Sequence, residues 1–244
     1  MAHLILFLLL GSLLGSPLPA FSHVILDPEL VHGILVEVAN SYKESREGPT
    51  EAAKAEAIYH LGEKVEELVL LMNQDLTAHG QSDLFARLLV KRLEAYEIKI
   101  TFSETQKRYM YDLAAFREYL KRAPKGKRAP EARFRVIAQT FYETLGTDPS
   151  KLVNTDLPGL MRAVDEEERF LKEYPRDGKT REVRFFLGVD YYRLYKNLKD
   201  PDKAKEYKHL SQQALEAVMK QYAGTMEARA AEALLEGLRG SAGN

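Results

Sequence analysis

The chain has 244 residues, of which 45% are hydrophobic and 29% are charged, and these fractions are typical of a globular protein and not of a disordered one. Its formal net charge is −1, so the overall charge predicts neither nucleic acid nor an anionic membrane as a partner. It contains no cysteine, which excludes disulfides, thiolate metal ligands, a catalytic thiol and the lipid-bearing residue of a bacterial lipoprotein.

Residues 1–22 have the features of a secretory signal peptide. The apolar run that begins at Leu4 is too short to span a bilayer comfortably, and Ala20 and Ser22 supply the small residues that precede a cleavage site. We therefore predict cleavage before His23 and a secreted or periplasmic mature protein. Without cleavage, this segment would act as a weakly held anchor.

Helix signals fill residues 23–102, which we interpret as an N-terminal helical region. Asp27, followed by a proline, predicts the start of a first helix, and Thr50 is the predicted N-cap of a second helix. Gly62 lies among bulky apolar residues of the second helix, which predicts the close approach of a neighbouring helix. A third helical pattern follows and breaks where β-branched residues cluster, between Ile98 and Phe102.

A capping-box pattern at Ser103 and Gln106 predicts that the next helix runs from Ser103 to Lys121. No stretch alternates apolar and polar residues for long enough to predict a strand. The predicted fold class is therefore all-α, with roughly nine helices.

A sequence repeat marks residues 103–240. The segment 119–134 contains a helix end, a turn with a proline and a helix start, and the segment 170–185 repeats this pattern fifty-one residues later without a gap. A weaker third copy covers 218–229. Helix–turn–helix units that recur in this way indicate stacked helical hairpins.

The remaining helices follow a loop signal at 146–156, which we interpret as a connector in preference to a binding loop. The helix predicted from Thr180 to Leu198 has apolar residues on more than one face, so we expect it to pack on two sides. Gly188 in this helix predicts a second close helix contact. Residues 241–244 are predicted to be a frayed tail.

The residues Leu187-Gly188 followed by Tyr191 resemble the first-helix signature of tetratricopeptide repeats, and Tyr174-Pro175 resembles their closing proline. The spacing near fifty residues is closer to long-helix periplasmic proteins of bacteria, such as the outer-membrane assembly lipoproteins and the coordinator proteins of the Tol–Pal system. The resemblance implies stacked antiparallel helical hairpins that form a right-handed solenoid. The missing lipid-bearing cysteine is a departure from the assembly lipoproteins.

The sequence contains no recognisable catalytic pattern. It has no glycine-rich phosphate loop and no His-Glu-x-x-His pair, and its six histidines are scattered. We therefore predict no catalytic, cofactor-binding or metal-binding residues. The acidic run 165–168 is interpreted as a solvated helix face, because consecutive helical residues point in different directions.

Two surfaces are candidate interaction sites. The strongest basic bias flanks one turn and defines a candidate patch: Lys121, Arg122, Lys125, Lys127 and Arg128. The alternative for this patch is a solvated turn whose cations complement a helix dipole. A tyrosine cluster defines a candidate peptide groove, although packing between repeats would also explain it: Tyr191, Tyr192 and Tyr195.

Together, these features predict a non-enzymatic protein-interaction scaffold of the cell envelope, with other envelope proteins as its partners. We expect no nucleic acid partner and no transmembrane anchor after signal cleavage, and association with a membrane surface or peptidoglycan stays open. The alternatives are an enzyme that acts on cell-wall glycan, with carboxylates brought together by the fold, and a helical carrier of a small ligand or metal.

Overall fold

The computed structural model describes residues 26–79, 84–104, 106–145 and 156–240. The predicted signal peptide, most of the predicted loop at 146–156 and the predicted tail lie outside these residues. The described chain is mostly helical, with nine α-helices and one two-stranded antiparallel sheet. The all-α prediction is confirmed in this main feature, and the chain forms two compact units that divide between Val136 and Ile137.

The N-terminal unit contains four complete helices, a short 3-10 helix, the sheet and the first half of a fifth helix: α1 (Pro28–Glu47), α2 (Glu51–His79), α3 (Leu84–Leu93), the 3-10 helix (Glu94–Tyr96), β1 (Ile100–Ser103), β2 (Arg108–Tyr111), α4 (Ala114–Arg122) and α5 (Ala129–Leu145). Helix α2 is central, because α1, α4 and β2 all pack against it. Its residues Val65, Leu68 and Met72 are fully buried. Their spacing places them on one helix face, which forms the core of this unit.

Side-chain caps fix the starts of the first two helices. Asp27 Oδ1 accepts hydrogen bonds from the backbone N–H groups of Glu29 and Leu30, both at 2.9 Å. Thr50 Oγ1 accepts one from the N–H of Ala53 at 3.1 Å. Each bond satisfies an N–H that has no partner within the helix, so both predicted helix starts are confirmed.

The segments Ile100–Ser103 and Arg108–Tyr111 form a β-hairpin, where the sequence predicted no strand and a helix from Ser103 to Lys121. That prediction is wrong for this stretch. The strands are antiparallel, and Ser103 pairs with Arg108 next to the loop. Ser103 Oγ does accept a hydrogen bond from the N–H of Gln106 at 3.2 Å, but this bond lies in the hairpin loop and does not cap a helix.

One side chain of α2 joins the hairpin to the core. Asn73 Nδ2 donates to the carbonyl oxygen of Tyr109 at 2.9 Å, and Asn73 Oδ1 accepts from the N–H of Tyr109 at 2.7 Å. The side-chain amide therefore pairs with both backbone groups of a β2 residue, as a neighbouring strand would. Tyr109 and Tyr111 are buried, and the chain then passes through Leu113, with a φ of 55°, into α4.

The C-terminal unit contains the second half of α5 and four further helices: α6 (Leu157–Glu173), α7 (Thr180–Asn197), α8 (Pro201–Gln221) and α9 (Met226–Gly240). Helix α7 packs against α6 and α8, and α8 also packs against α9. Bulky residues are buried around much of α7, including Phe185, Phe186, Val189 and Leu194. This burial confirms that α7 packs on more than one side.

Both predicted close helix contacts are present. A Cβ atom on Gly188 would lie 2.8 Å from Leu215 Cδ2, and Ser211 Oγ donates a hydrogen bond to the carbonyl oxygen of Gly188 at 2.8 Å. A Cβ atom on Gly62 would lie 2.8 Å from Phe116 Cζ. A side chain at either position would force Leu215 or Phe116 to move, because real Cβ contacts are longer than these distances.

The repeated sequence adopts a repeated turn. Ala123, which ends α4, has φ −132° and ψ 62°, and its counterpart Tyr174, which ends α6, has φ −127° and ψ 56°. In both copies, the next helix begins six residues later. In the third copy, Tyr222 has φ −128° and ψ 37°, and α9 begins four residues later. The sequence repeat is therefore also a repeat of backbone geometry in its first two copies.

Candidate functional site

An open cleft of about 730 Å³ lies in the N-terminal unit, bordered by α1, α2, α4 and the segment after the 3-10 helix. Its buried lining is partly apolar and includes Ile58, Leu61 and Ile98. Charged residues also line it, with five cations against two carboxylates: Arg46, Lys54, Arg117, Lys121 and Arg122, against Glu97 and Glu118. The charged lining is therefore net positive.

Ion pairs hold several of these cations at the edge of the cleft. Arg46 Nη2 lies 2.7 Å from Glu97 Oε2, and Arg122 Nε lies 2.9 Å from Glu118 Oε1. All four side chains are at least 37% exposed. Exposed ion pairs contribute about 0–1 kcal/mol each, so a carboxylate from a ligand can replace the protein carboxylate at little cost.

The acids of this network are held in their ionised form. The hydrogen bond from Arg122 lowers the pKa of Glu118 below its ordinary value. The hydrogen bond from Lys54, at 3.0 Å, lowers the pKa of Glu51, which lies at the start of α2. The cations therefore keep these carboxylates charged, and the cleft edge presents a network of charges of both signs.

Two tyrosines add aromatic surface to the cleft. Tyr42 and Tyr96 pack edge to face, with ring centroids 5.5 Å apart, and the Arg46 guanidinium carbon lies 4.7 Å from the Tyr42 centroid. Deeper in the cleft, Tyr111 Oη accepts a hydrogen bond from the N–H of Ala115 at 2.9 Å, and burial raises the pKa of this phenol. The cleft therefore combines cations, aromatic rings and apolar side chains, which is a common composition for a binding site.

Only two of the five residues of the predicted basic patch line this cleft. Lys121 and Arg122 line it, whereas Lys125 and Lys127 are exposed in the turn after α4. Arg128 lies 5.2 Å above the Tyr59 ring and 3.8 Å from a carboxylate oxygen of Glu56. The role of the patch as an interaction surface stays a prediction.

Three cations of the cleft were not predicted from the sequence. Arg46 lies near the end of α1, Lys54 near the start of α2 and Arg117 in α4. They are separated along the chain, and the fold brings them together. No local motif identifies them, because the contacts that form the cleft are long-range.

The tyrosines of the predicted groove lie on α7. Tyr191 is buried, and its hydroxyl donates a hydrogen bond to Glu168. Tyr192 and Tyr195 are half-buried, with ring centroids 6.1 Å apart, and Lys196 Nζ lies 5.0 Å from the Tyr195 centroid. These contacts partly cover the rings, and the binding role of the groove stays a prediction.

One acid of the run 165–168 is buried, so the interpretation of the whole run as a solvated face is wrong at that position. Glu167 is 1% exposed. It lies on the same face of α6 as Leu160, Val164 and Phe170, which are also buried. The helical period therefore places this acid in the core although its sequence neighbours are acidic.

Glu167 belongs to a buried cluster with Asp190 and Arg193 of α7, which are 0% and 1% exposed. Arg193 Nη1 lies 2.7 Å from Asp190 Oδ1 and donates to Thr144 Oγ1 at 2.9 Å. Burial, followed by the charge of Asp190, raises the pKa of Glu167 well above its ordinary value. A pair of carboxyl groups is typical of glycan hydrolysis, but these two are enclosed in protein and link helices of the core.

Comparison with family models, with curated proteins and with solved structures finds no match to this chain. Among the described residues, no group of three or more histidine, aspartate or glutamate side chains is placed to hold a metal ion. None of the helices in the described ranges is long and apolar enough to cross a membrane. The case for a function therefore depends on the charge, shape and burial of the residues themselves.

Proposed function

We propose that this protein is a non-enzymatic interaction scaffold of the cell envelope, exported by residues 1–22, and that its cleft holds an acidic segment of a partner protein. The observation that carries this proposal is the convergence of five cations from α1, α2 and α4 around one cleft. The repeated turns support the further proposal that the hairpins stack as in tetratricopeptide-like solenoids.

The size and chemistry of the cleft favour an acidic peptide. A volume of about 730 Å³ falls within the range of roughly 300–1,000 Å³ that is common for binding pockets. The guanidinium groups of Arg46, Arg117 and Arg122 can each bind a carboxylate through two parallel hydrogen bonds. The rings of Tyr42 and Tyr96 provide apolar contact for neighbouring side chains of the same segment.

Site-specific photo-crosslinking in cells tests this proposal. A photoreactive amino acid in place of Ser45, which lines the cleft, is compared with one in place of Lys172, which is exposed on α6. We expect an adduct with an envelope protein from position 45 and none with that protein from position 172. The adduct should be lost when Arg117→Glu and Lys121→Glu are introduced together, because they reverse the charge of the cleft.

A matched control reverses two exposed lysines of α8, through Lys203→Glu and Lys205→Glu, and should leave the adduct unchanged. An adduct that survives reversal of the cleft cations overturns the proposed site. A small anionic molecule that stays bound in native mass spectrometry would favour the carrier instead, and lytic activity against peptidoglycan would favour the enzyme.

A further inference from the structure

Helix α3 carries exposed leucines and exposed cations. Leu84 and Leu88 are 62% and 54% exposed, which are the largest values among the large hydrophobic side chains of the described residues. Arg87, Lys91 and Arg92 are also exposed, and α3 contains no aspartate or glutamate. The outer face of this helix is therefore both apolar and uniformly basic.

The inner face of α3 packs into the core through three residues that are at most 3% exposed: Ala86, Leu89 and Leu93. Successive residues of a helix are rotated by about 100°, which places Leu84 and Leu88 almost opposite this buried stripe. The same rotation places Arg87 on one side of the two leucines and Arg92 on the other. The leucines thus form an apolar ridge between cations, at the part of the helix that is farthest from the core.

We infer that this face of α3 docks on an anionic phospholipid surface. The leucine side chains enter the boundary between headgroups and acyl chains, and the long side chains of the three cations extend to the phosphates. The charges are complementary, since α3 contributes three cations and no anion to the contact. Because α3 is already folded and anchored by its buried stripe, docking requires no ordering of the helix.

The expected binding is weak and reversible. Each cation near an anionic bilayer adds a small attraction that salt screens, and two leucines bury much less apolar surface than a membrane-spanning helix does. This contact lies outside the lining of the cleft, so membrane docking and the capture of an acidic segment can be tested separately.

Co-sedimentation with vesicles tests this inference on the exported protein as it is purified. We expect sedimentation with vesicles made of equal parts phosphatidylcholine and phosphatidylglycerol, weaker sedimentation at high salt, and none with phosphatidylcholine alone. Leu84→Ser with Leu88→Ser should lower the affinity about tenfold or more, because it removes the apolar part of the contact. Replacing Arg87, Lys91 and Arg92 by glutamine should abolish the preference for the anionic vesicles.

Matched variants elsewhere on the chain show whether the loss of any exposed leucine or any three exposed cations would reduce membrane binding. Leu70→Ser removes a leucine of α2 that is 50% exposed and should not change sedimentation. Replacing Lys199, Lys203 and Lys205 by glutamine removes the same number of exposed charges and should also have no effect. Circular dichroism shows whether each variant keeps its helices.

Three results would overturn the inference. The first is absence of sedimentation with anionic vesicles. The second is sedimentation that the leucine and cation variants of α3 leave unchanged, which would assign membrane binding to another part of the chain. The third is an equal loss of sedimentation in the control variants.

Discussion

The variant Glu167→Gln tests the protonation of the buried cluster. Arg193 Nη1 lies 2.7 Å from Asp190, so the guanidinium keeps Asp190 as the ionised member of the pair. Glu167 is then the protonated member, consistent with the raised pKa of Glu167. Glutamine has nearly the same shape, keeps a hydrogen-bond donor and cannot ionise. We therefore expect Glu167→Gln to fold with little loss of stability and to change how stability depends on pH.

The direction in which stability changes with pH follows from the number of protons that the folded and unfolded states bind. The pKa of Glu167 is higher in the folded state than its ordinary value of 4.5, so the folded protein binds more protons than the unfolded chain above that pH. Stability is therefore lost as pH rises from 4.5 towards the raised pKa, by up to about 1.4 kcal/mol per pH unit for one proton. Burial also raises the pKa of Asp190, to about 6, so Asp190 still titrates near that pH. A comparison above about pH 7 therefore isolates Glu167.

Urea unfolding at a series of pH values above about 7 provides the measurement. The free energy of unfolding of the wild type should fall with pH until Glu167 of the folded protein loses its proton, and the Glu167→Gln variant should lack this fall. Glu166→Gln, which removes a partly exposed acid next to it, should retain the slope of the wild type. An unchanged slope in Glu167→Gln would refute the argument that Glu167 holds a proton.

Four further substitutions test the packing. Arg193→Met leaves two buried carboxyl groups without their cation and should cost about 3–5 kcal/mol in urea unfolding, unlike simultaneous apolar replacement of the whole cluster. Asn73→Ala removes both hydrogen bonds to the buried Tyr109 backbone and should cost about 2–3 kcal/mol, with early hydrogen exchange in the hairpin. Gly188→Ala overpacks the core and should lower the melting temperature, whereas Gly237→Ala, with open space around it, should raise it through about 0.5–1 kcal/mol of helix propensity.

Local signals predicted much of the helical framework. The caps at Asp27 and Thr50 act within three residues of sequence, so the chain itself contains the information that places them. The glycines at 62 and 188 were also informative, because a glycine in an apolar helix face is costly unless another helix comes close. Features that depend on a few neighbouring residues could therefore be predicted correctly.

The hairpin could not be predicted in this way. Its strands have four residues each, which is too short for an alternating pattern to stand out. The backbone has positive φ angles at Lys107 and Leu113, where no glycine or asparagine signals this conformation. The side-chain amide of Asn73 forms hydrogen bonds with the backbone of Tyr109 in the hairpin, and the two residues lie thirty-six positions apart in the chain. A long-range contact therefore decides the structure of this segment.

The burial of Glu167 illustrates a second limit. The helical period alone places this residue on the inner face of α6, so its position was visible in the sequence. The polar residues that accompany Glu167 in the core could not be recognised from the sequence, because Asp190 and Arg193 come from the next helix. A buried acid is expected only where such partners exist, and that knowledge requires the fold.

The repeated turn offers an internal comparison for the candidate basic patch. The same backbone geometry occurs after α4 and after α6, yet the charges differ. Lys121 has the counterpart Lys172, so a cation in the last turn of both helices fits a shared role in complementing the helix dipole. Arg122 has the counterpart Glu173, which shows that this turn forms with either charge at that position. The turn therefore does not require Arg122, which pairs with Glu118 at the edge of the cleft and is available for the proposed contact with an anionic partner.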